Sequence, residues 1–427
     1  MLFSLFNDGT GNKGTPTLRG RLFYGWVVVA SCFLIAATLL GIRYSFGVFF
    51  KSLETEFDWT RASTSALFSL YMILCIAVAI LGGWASDKYG PKRVVLAMGA
   101  ITGLSLLLSG RAESIWQLYF TYSFLLALGT GCTYAIIMST GSRWFLRTRA
   151  TALGIIGAGV GLGTTIIAPV TAWLISAYDW RSAYLVLGIV AWVVIIPTAL
   201  LLKKDPQEIG AQPDGRPISA ASGLAEPADT EEFSLTEFLK SRSFWLFFTI
   251  WLAYSFCLHM VMTHIVPRAE DLGIAPVQAA AILSVLTAVG VPSRILIGRV
   301  SDRVNKRIIS IVLALLHTVA MLWLMSCTQL WMFFLFAVIY GLAYGGLDPP
   351  VTALIAEIFG LRRIGVILGI LGVGWNLGAA SGSYLSGLIF DLTGSYQFAF
   401  LSGALIMVLA AVCIYGLRTP QQGESCE

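Results

Sequence analysis

Apolar residues run along this chain in blocks too long and too evenly hydrophobic for the one-sided stripe of a soluble helix. A bilayer core needs about 20 such residues per helix, and runs of that kind lie near 24–50, 62–85, 94–111, 116–141, 151–178, 182–202, 243–266, 276–298, 308–327, 331–354, 364–390 and 394–417. The pattern predicts an all-α membrane protein with twelve transmembrane helices, six on either side of one polar stretch. That stretch, 203–242, holds Pro206, Pro213, Pro217 and Pro227 among Gly, Ser, Asp and Glu, which is linker composition. A short surface helix is expected at Ser234–Ser241. The predicted division is a tail at 1–22, a helix bundle at 23–202, the linker at 203–242, a second bundle at 243–417 and a tail at 418–427.

Lys and Arg set the orientation. They fall about four times as often on one set of alternate loops as on the other, and the rule that positive loops stay inside places both termini in the cytoplasm. The polar start and the length of the first run argue against a cleaved signal, so span 1 is expected in the mature protein.

The two halves repeat each other. Gly83-Trp-Ala-Ser-Asp87-Lys88-Tyr-Gly90-Pro-Lys92-Arg93 follows span 2, and Gly298-Arg-Val-Ser-Asp302-Arg303-Val-Asn-Lys306-Arg307 follows span 8, at an offset of 215. Phe145-Leu-Arg147-Thr-Arg149 returns as Phe359-Gly-Leu-Arg362-Arg363 at 214. The fold expected is therefore two pseudo-symmetric six-helix bundles. In each repeated loop the glycine is expected to let two helices approach closely, the aspartate to cap or pair, and the basic cluster to stay cytoplasmic. Gly83, Asp87, Arg93, Gly298, Asp302 and Arg307 are thus expected to lock an inner gate in one state.

Composition narrows the function classes. Hydrophobic residues are 57% of the 427 and charged ones only 12%, about half the charge of an ordinary soluble chain. No polar segment is long enough for a soluble catalytic or nucleic-acid-binding domain, and the net charge of +5 follows from loop topology. Seven cysteines, Cys32, Cys75, Cys132, Cys257, Cys327, Cys413 and Cys426, lack metal or redox spacing and are expected as buried thiols. No nucleophile, metal cluster or working carboxylate pair is evident, so neither an enzyme nor a cofactor is expected.

Twelve spans in two halves, with GxxxDKxGxKR in the 2–3 loop and its partner in the 8–9 loop, resemble the major facilitator superfamily. Tyr24-Gly25-Trp26-Val-Val-Val, the segment Tyr44-Ser-Phe46-Gly47-Val48-Phe49-Phe50-Lys51, and Trp144-Phe145-x-Arg147-x-Arg149-x-x-Ala152-x-Gly154 resemble the monocarboxylate transporter family, whose pattern bacterial relatives of the oxalate/formate antiporters share. The resemblance implies proton-linked transport of a small monocarboxylate such as lactate or pyruvate by alternating access, with the antiporter type as alternative. It also implies that Arg294, one turn before Gly298, binds the substrate carboxylate. The family's aspartate four residues before that arginine is Gly290 here, and its lysine late in span 1 aligns with Tyr44, beside Arg43. The lysine that the oxalate-type antiporters carry in span 11 is missing from Gly365–Gly378.

An ionised group inside a span is expensive and is a functional candidate by default. Arg43, Arg294 and Asp348 are the three. Arg294 precedes Asp302 by eight residues and Asp348 precedes Glu357 by nine, which puts both about 12 to 14 Å from one membrane face and predicts that they pair when the site is empty. Arg never deprotonates, so Asp348 is the proton-coupling candidate, with a structural ion pair as the bland alternative. His264, at the outer end of span 7, is a second proton candidate; His259 and His317 are expected as packed residues. Arg43 is expected either to guide anions inward or to snorkel to the interface. By the 214 offset Tyr134 is the counterpart of Asp348, and Tyr134, Tyr344 and Asn376 are expected to hydrogen-bond substrate or, equally, other helices. The partners expected are a small monocarboxylate, a proton and the lipid bilayer, for a monomer in a bacterial inner membrane.

Overall fold

The computed structural model describes residues 23–145, 148–215, 239–301, 303–359 and 364–417. Helices dominate: α1 Tyr24–Tyr44, α2 Phe46–Phe57, α3 Arg61–Tyr89, α4 Pro91–Ser109, α5 Ile115–Leu118, α6 Leu126–Thr130, α7 Thr133–Trp144, α8 Arg149–Ala177, α9 Trp180–Leu200, α10 Arg242–Asp271, α11 Pro276–Ser301, α12 Lys306–Met325, α13 Leu330–Phe359, α14 Ile364–Thr393 and α15 Gln397–Gly416. Eleven helical stretches among the described residues are long and apolar enough to cross a membrane. The expected span at 364–390 is also a helix, α14, but does not join that set. Most of the expected surface helix at Ser234–Ser241 lies outside the described residues.

Local chemistry sets the boundaries. α1 and α2 form one stretch, Tyr24–Phe57, bent at Ser45, whose hydroxyl donates to the Gly41 carbonyl at 2.8 Å. The Thr60 hydroxyl caps α3 at the Ser63 N–H. At the other end Gly90, at φ +83°, stops α3, and Pro91 starts α4. Span 4 is interrupted: a π-helical stretch, Tyr119–Leu125, separates α5 from α6, and such bulges concentrate at functional sites.

Packing is apolar and falls into three clusters. One is built on the second half of the chain and takes in Leu40, Tyr44, Val48, Ala168 and Ala172 from the first. A second, around Phe46, Phe68 and Tyr122, takes in Ala379 and Ala380 from α14. The third, around Val28, Trp144 and Ile195 beside the chain termini, holds only first-half residues. The six described cysteines are all buried and free, as expected.

The hydrogen bonds and ion pairs that join the halves cluster at the end of the bundle away from both termini. There Gly47 lies against the Met262 and Thr263 carbonyls, and Gly387 against that of Arg61. Thr165 meets Thr287 at 2.9 Å and the Ser69 hydroxyl donates to the Ala380 carbonyl at 2.8 Å. The two halves are thus joined on the side of the membrane opposite the termini.

Candidate functional site

Arg294 and Asp348 come together between the halves. Arg294 projects from α11 and Asp348 from α13, with Nη2 of the arginine 3.2 Å from Oδ2 of the aspartate. Their side chains are 30% and 26% exposed, so solvent reaches the pair. The Thr352 hydroxyl adds a weak contact to Asp348 at 3.4 Å. The pairing expected from equal depth on two helices is therefore present.

Two glycines bring the helices close enough. Gly345 of α13 presses against the backbone of Gly290 in α11, and a Cβ at Gly290 would lie 3.0 Å from the Tyr344 ring. The position where the resemblance would put an aspartate is thus filled by Tyr344, and the carboxylate comes from one turn further along α13. The Ser293 hydroxyl fastens the same two helices by donating to the Leu342 carbonyl at 2.6 Å.

Tyrosines line the surroundings. Tyr134 of α7 is 50% exposed and in electrostatic contact with Asp348, Arg294 and Tyr44. Tyr344 has the same neighbours, and Tyr254 of α10 holds it by donating to its backbone carbonyl at 2.7 Å. Gly157 of α8 leaves room beside Arg294, whose Nη1 would lie 3.7 Å from an added Cβ. The site offers one fork of guanidinium donors, one carboxylate and several phenols, which suits a small anion and a proton.

Other candidates sit elsewhere. The Asn376 amide donates to the Gly372 carbonyl of its own helix at 2.9 Å, and no described contact brings it to Arg294. Arg43 does not snorkel: it is 8% exposed, with its guanidinium over the Tyr44 and Tyr71 rings. His264 is fully buried in the joined end of the bundle. His259 and His317 are buried as expected.

In the repeated loops Asp87 pairs with a cation as expected, but the marked glycines do not make the expected close approach. A Cβ at Gly83 would meet nothing within 4 Å, and one at Gly298 only an ordinary contact with Pro349; the close approach is made by Gly82, against Cys132. Asp87 pairs with Arg143 at 2.9 Å, and its carbonyl accepts from Lys204, both within the first half of the chain. Arg93 is exposed, Arg307 lies over the Tyr415 ring at 4.9 Å, and Asp302 lies outside the described residues.

A buried charge network at the joined end escaped the sequence reading. Arg61, at the start of α3, reaches Glu54 at 3.0 Å, Asp271 of α10 at 2.7 Å and the Tyr396 hydroxyl at 2.8 Å. Asp391 of α14 accepts from the Arg61 and Ala62 backbone N–H groups at 2.9 and 2.7 Å, so a carboxylate of one half caps a helix of the other. Tyr396 in turn donates to His264 Nδ1 (3.0 Å), and His264 Nε2 donates to the Ser383 carbonyl (2.8 Å). Arg61 follows the polar stretch Lys51–Thr60 ahead of span 2, where it reads as one more solvated loop charge.

Replacing Arg61 by Gln is expected to part this end. Truncating a largely buried, hydrogen-bonded cation should raise the open population on the order of tenfold or more. Spin labels at the exposed positions Thr55 and Gln397 measure it: longer distances in Arg61→Gln are expected, and an unchanged distribution would reject the latch.

Known proteins resemble the chain throughout its length. It is 28% identical to monocarboxylate transporter 13 of Bos taurus over 402 residues, 92% of this chain and 89% of the relative. With monocarboxylate transporter 11 of Homo sapiens it shares 27% over 413 residues, 94% and 84% of the two chains. A solved bacterial homologue of the human lysosomal transporter Spinster, inward-facing and unoccupied, superposes with a TM-score of 0.71 at 17% identity, covering 93% of this chain and 96% of that one. The pattern of the Major Facilitator Superfamily matches residues 31–330 and 269–425, and the chain therefore belongs to that superfamily, as a membrane transporter related to the monocarboxylate transporters and not an enzyme.

Proposed function

We propose that the protein carries small monocarboxylates of the lactate or pyruvate kind together with a proton, by alternating access between two six-span bundles at 23–202 and 243–417. The observation that carries this reading is the solvent-reached Arg294–Asp348 pair at 3.2 Å. Cation and carboxylate neutralise each other while the site is empty; an incoming carboxylate displaces Asp348 from Arg294, and Asp348 then takes up a proton, so the loaded site gains no net charge. That neutrality lets the loaded halves rock past each other in a low-dielectric medium. Tyr134 and Tyr344 hydrogen-bond the substrate, and the Asp87 and Asp302 loops govern closure at the opposite end.

Twelve spans, cytoplasmic termini, a monomer and a bacterial inner membrane complete the proposal. With the termini inside, the joined end is external and the site faces the cytoplasm.

Uptake of labelled L-lactate into proteoliposomes tests it. An inward proton gradient is expected to drive accumulation above the protein-free control. Exchange only after preloading with carboxylate would indicate an antiporter instead, and silence in both formats would sink the substrate class.

A further inference from the structure

Arg43 ends α1 inside the bundle, and among the described residues no carboxylate pairs with it. Its Nη2 donates to the Met72 thioether at 2.7 Å, a weak acceptor. Its Nε is buried without any partner, the Tyr44 and Tyr71 rings lie 5.5 and 5.6 Å from the guanidinium carbon, and the Cys75 thiol is in electrostatic contact with it. Ring faces attract a cation only modestly, far less than the cost of burying one uncompensated.

Two further groups beside it are unsatisfied. The Tyr122 hydroxyl and His259 Nε2 are both buried with no hydrogen-bond partner, and both are in electrostatic contact with Arg43. Tyr122 lies in the π-helical interruption of span 4, which shifts the register of the side chains that follow. His259 comes from the other half of the chain, and its ring meets Tyr44 and Phe68, each at 5.8 Å between centroids.

The tautomer of His259 follows from its neighbours. The Ser255 hydroxyl spends its proton on the Trp375 carbonyl at 2.6 Å, so the contact of His259 Nδ1 with the Ser255 carbonyl at 2.9 Å needs the hydrogen on Nδ1. Nε2 is therefore a bare acceptor. The groups facing this ring are Arg43 and Tyr44 from α1, Phe68 from α3 and Trp375 from α14.

An anion alone would satisfy Arg43 and Tyr122 and leave the Nε2 lone pair facing it. A proton alone would set two cations side by side. Anion and proton together satisfy all three groups. We propose that Arg43, Tyr122 and His259 form a second site, apart from Arg294 and Asp348, that binds one small monovalent anion along with one proton on His259 Nε2. The proton comes from solvent, no covalent bond changes, and each ligand strengthens the other's binding by the same factor. Because Arg43 and His259 belong to opposite halves, the bound anion also holds the halves together.

The test uses the full-length protein in detergent and weak buffer, with Arg294→Ala throughout so that the first site is silent and transport plays no part. Sodium formate and sodium chloride are the probes, read by calorimetry and by a pH indicator. Saturable binding with about one proton taken up per anion is expected for Arg294→Ala by linkage. Adding Arg43→Gln should abolish both, adding Tyr122→Phe should weaken binding about tenfold or more, and adding His259→Gln should remove the proton uptake while leaving anion binding. Arg43→Gln removes a buried charge and is expected to melt no lower than its parent. Saturation at lower formate than chloride assigns the site to the substrate's carboxylate, and the reverse order to ambient halide. Binding that survives Arg43→Gln, or no saturable binding in Arg294→Ala alone, overturns the site whatever the transport assay shows.

Discussion

Arg294→Ala is expected to lower carboxylate uptake by about 30-fold or more, which corresponds to the ~2 kcal/mol or more lost when the charged partner of a bound carboxylate is truncated. The size follows from the site. Arg294 is the cation beside Asp348, and the phenols of Tyr134 and Tyr344 around it donate single neutral hydrogen bonds that cannot replace a guanidinium fork. Arg294→Lys should fall between the two, since an ammonium keeps the charge but loses the paired donors. The measurement is initial uptake of labelled L-lactate at matched protein in the membrane, with the melting temperature of each variant in detergent as the folding control. Folding should survive, because solvent reaches the pair. Wild-type uptake by Arg294→Ala would remove the anchor from the proposed mechanism.

Membrane energetics explain which parts of this site were legible in the sequence. Arg294 and Asp348 stood out because an ion in an apolar run is costly, and their equal distance from the basic loops was enough to pair them. Asn376 looked alike on paper, but a short amide can return to its own helix, as it does to the Gly372 carbonyl, and sequence does not separate that use from ligand binding. The repeat marks Gly83, yet successive residues on a helix face about 100° apart, and only the preceding Gly82 meets Cys132. The latch at Arg61 was hidden for a different reason. Its burial is created by Asp271, Asp391 and Tyr396, more than 200 residues away in the chain, so nothing local distinguishes it from a solvated loop arginine. The π-helical stretch at Tyr119–Leu125 likewise leaves no mark in composition or periodicity.

Asp348→Asn separates substrate binding from proton coupling. The amide cannot ionise, so it neither neutralises Arg294 in the empty site nor carries a proton in the loaded one. Substrate would still find the arginine, and with no carboxylate to displace it should bind at least as well as in the wild type. The empty carrier suffers instead: its return must now take an unpaired guanidinium through the membrane interior, at a cost of ~2.5 to 3.5 kcal/mol on insertion scales, or about 60- to 300-fold in rate if that step limits turnover. Net uptake driven by a proton gradient is therefore expected to collapse by that factor. Exchange of labelled for unlabelled L-lactate between loaded vesicles, which never requires the empty carrier to return, should persist. Measuring both fluxes on one preparation decides the matter: loss of exchange along with uptake would make Asp348 a structural partner of Arg294, and retention of gradient-driven uptake would move the proton to another group, with His259 the next to replace.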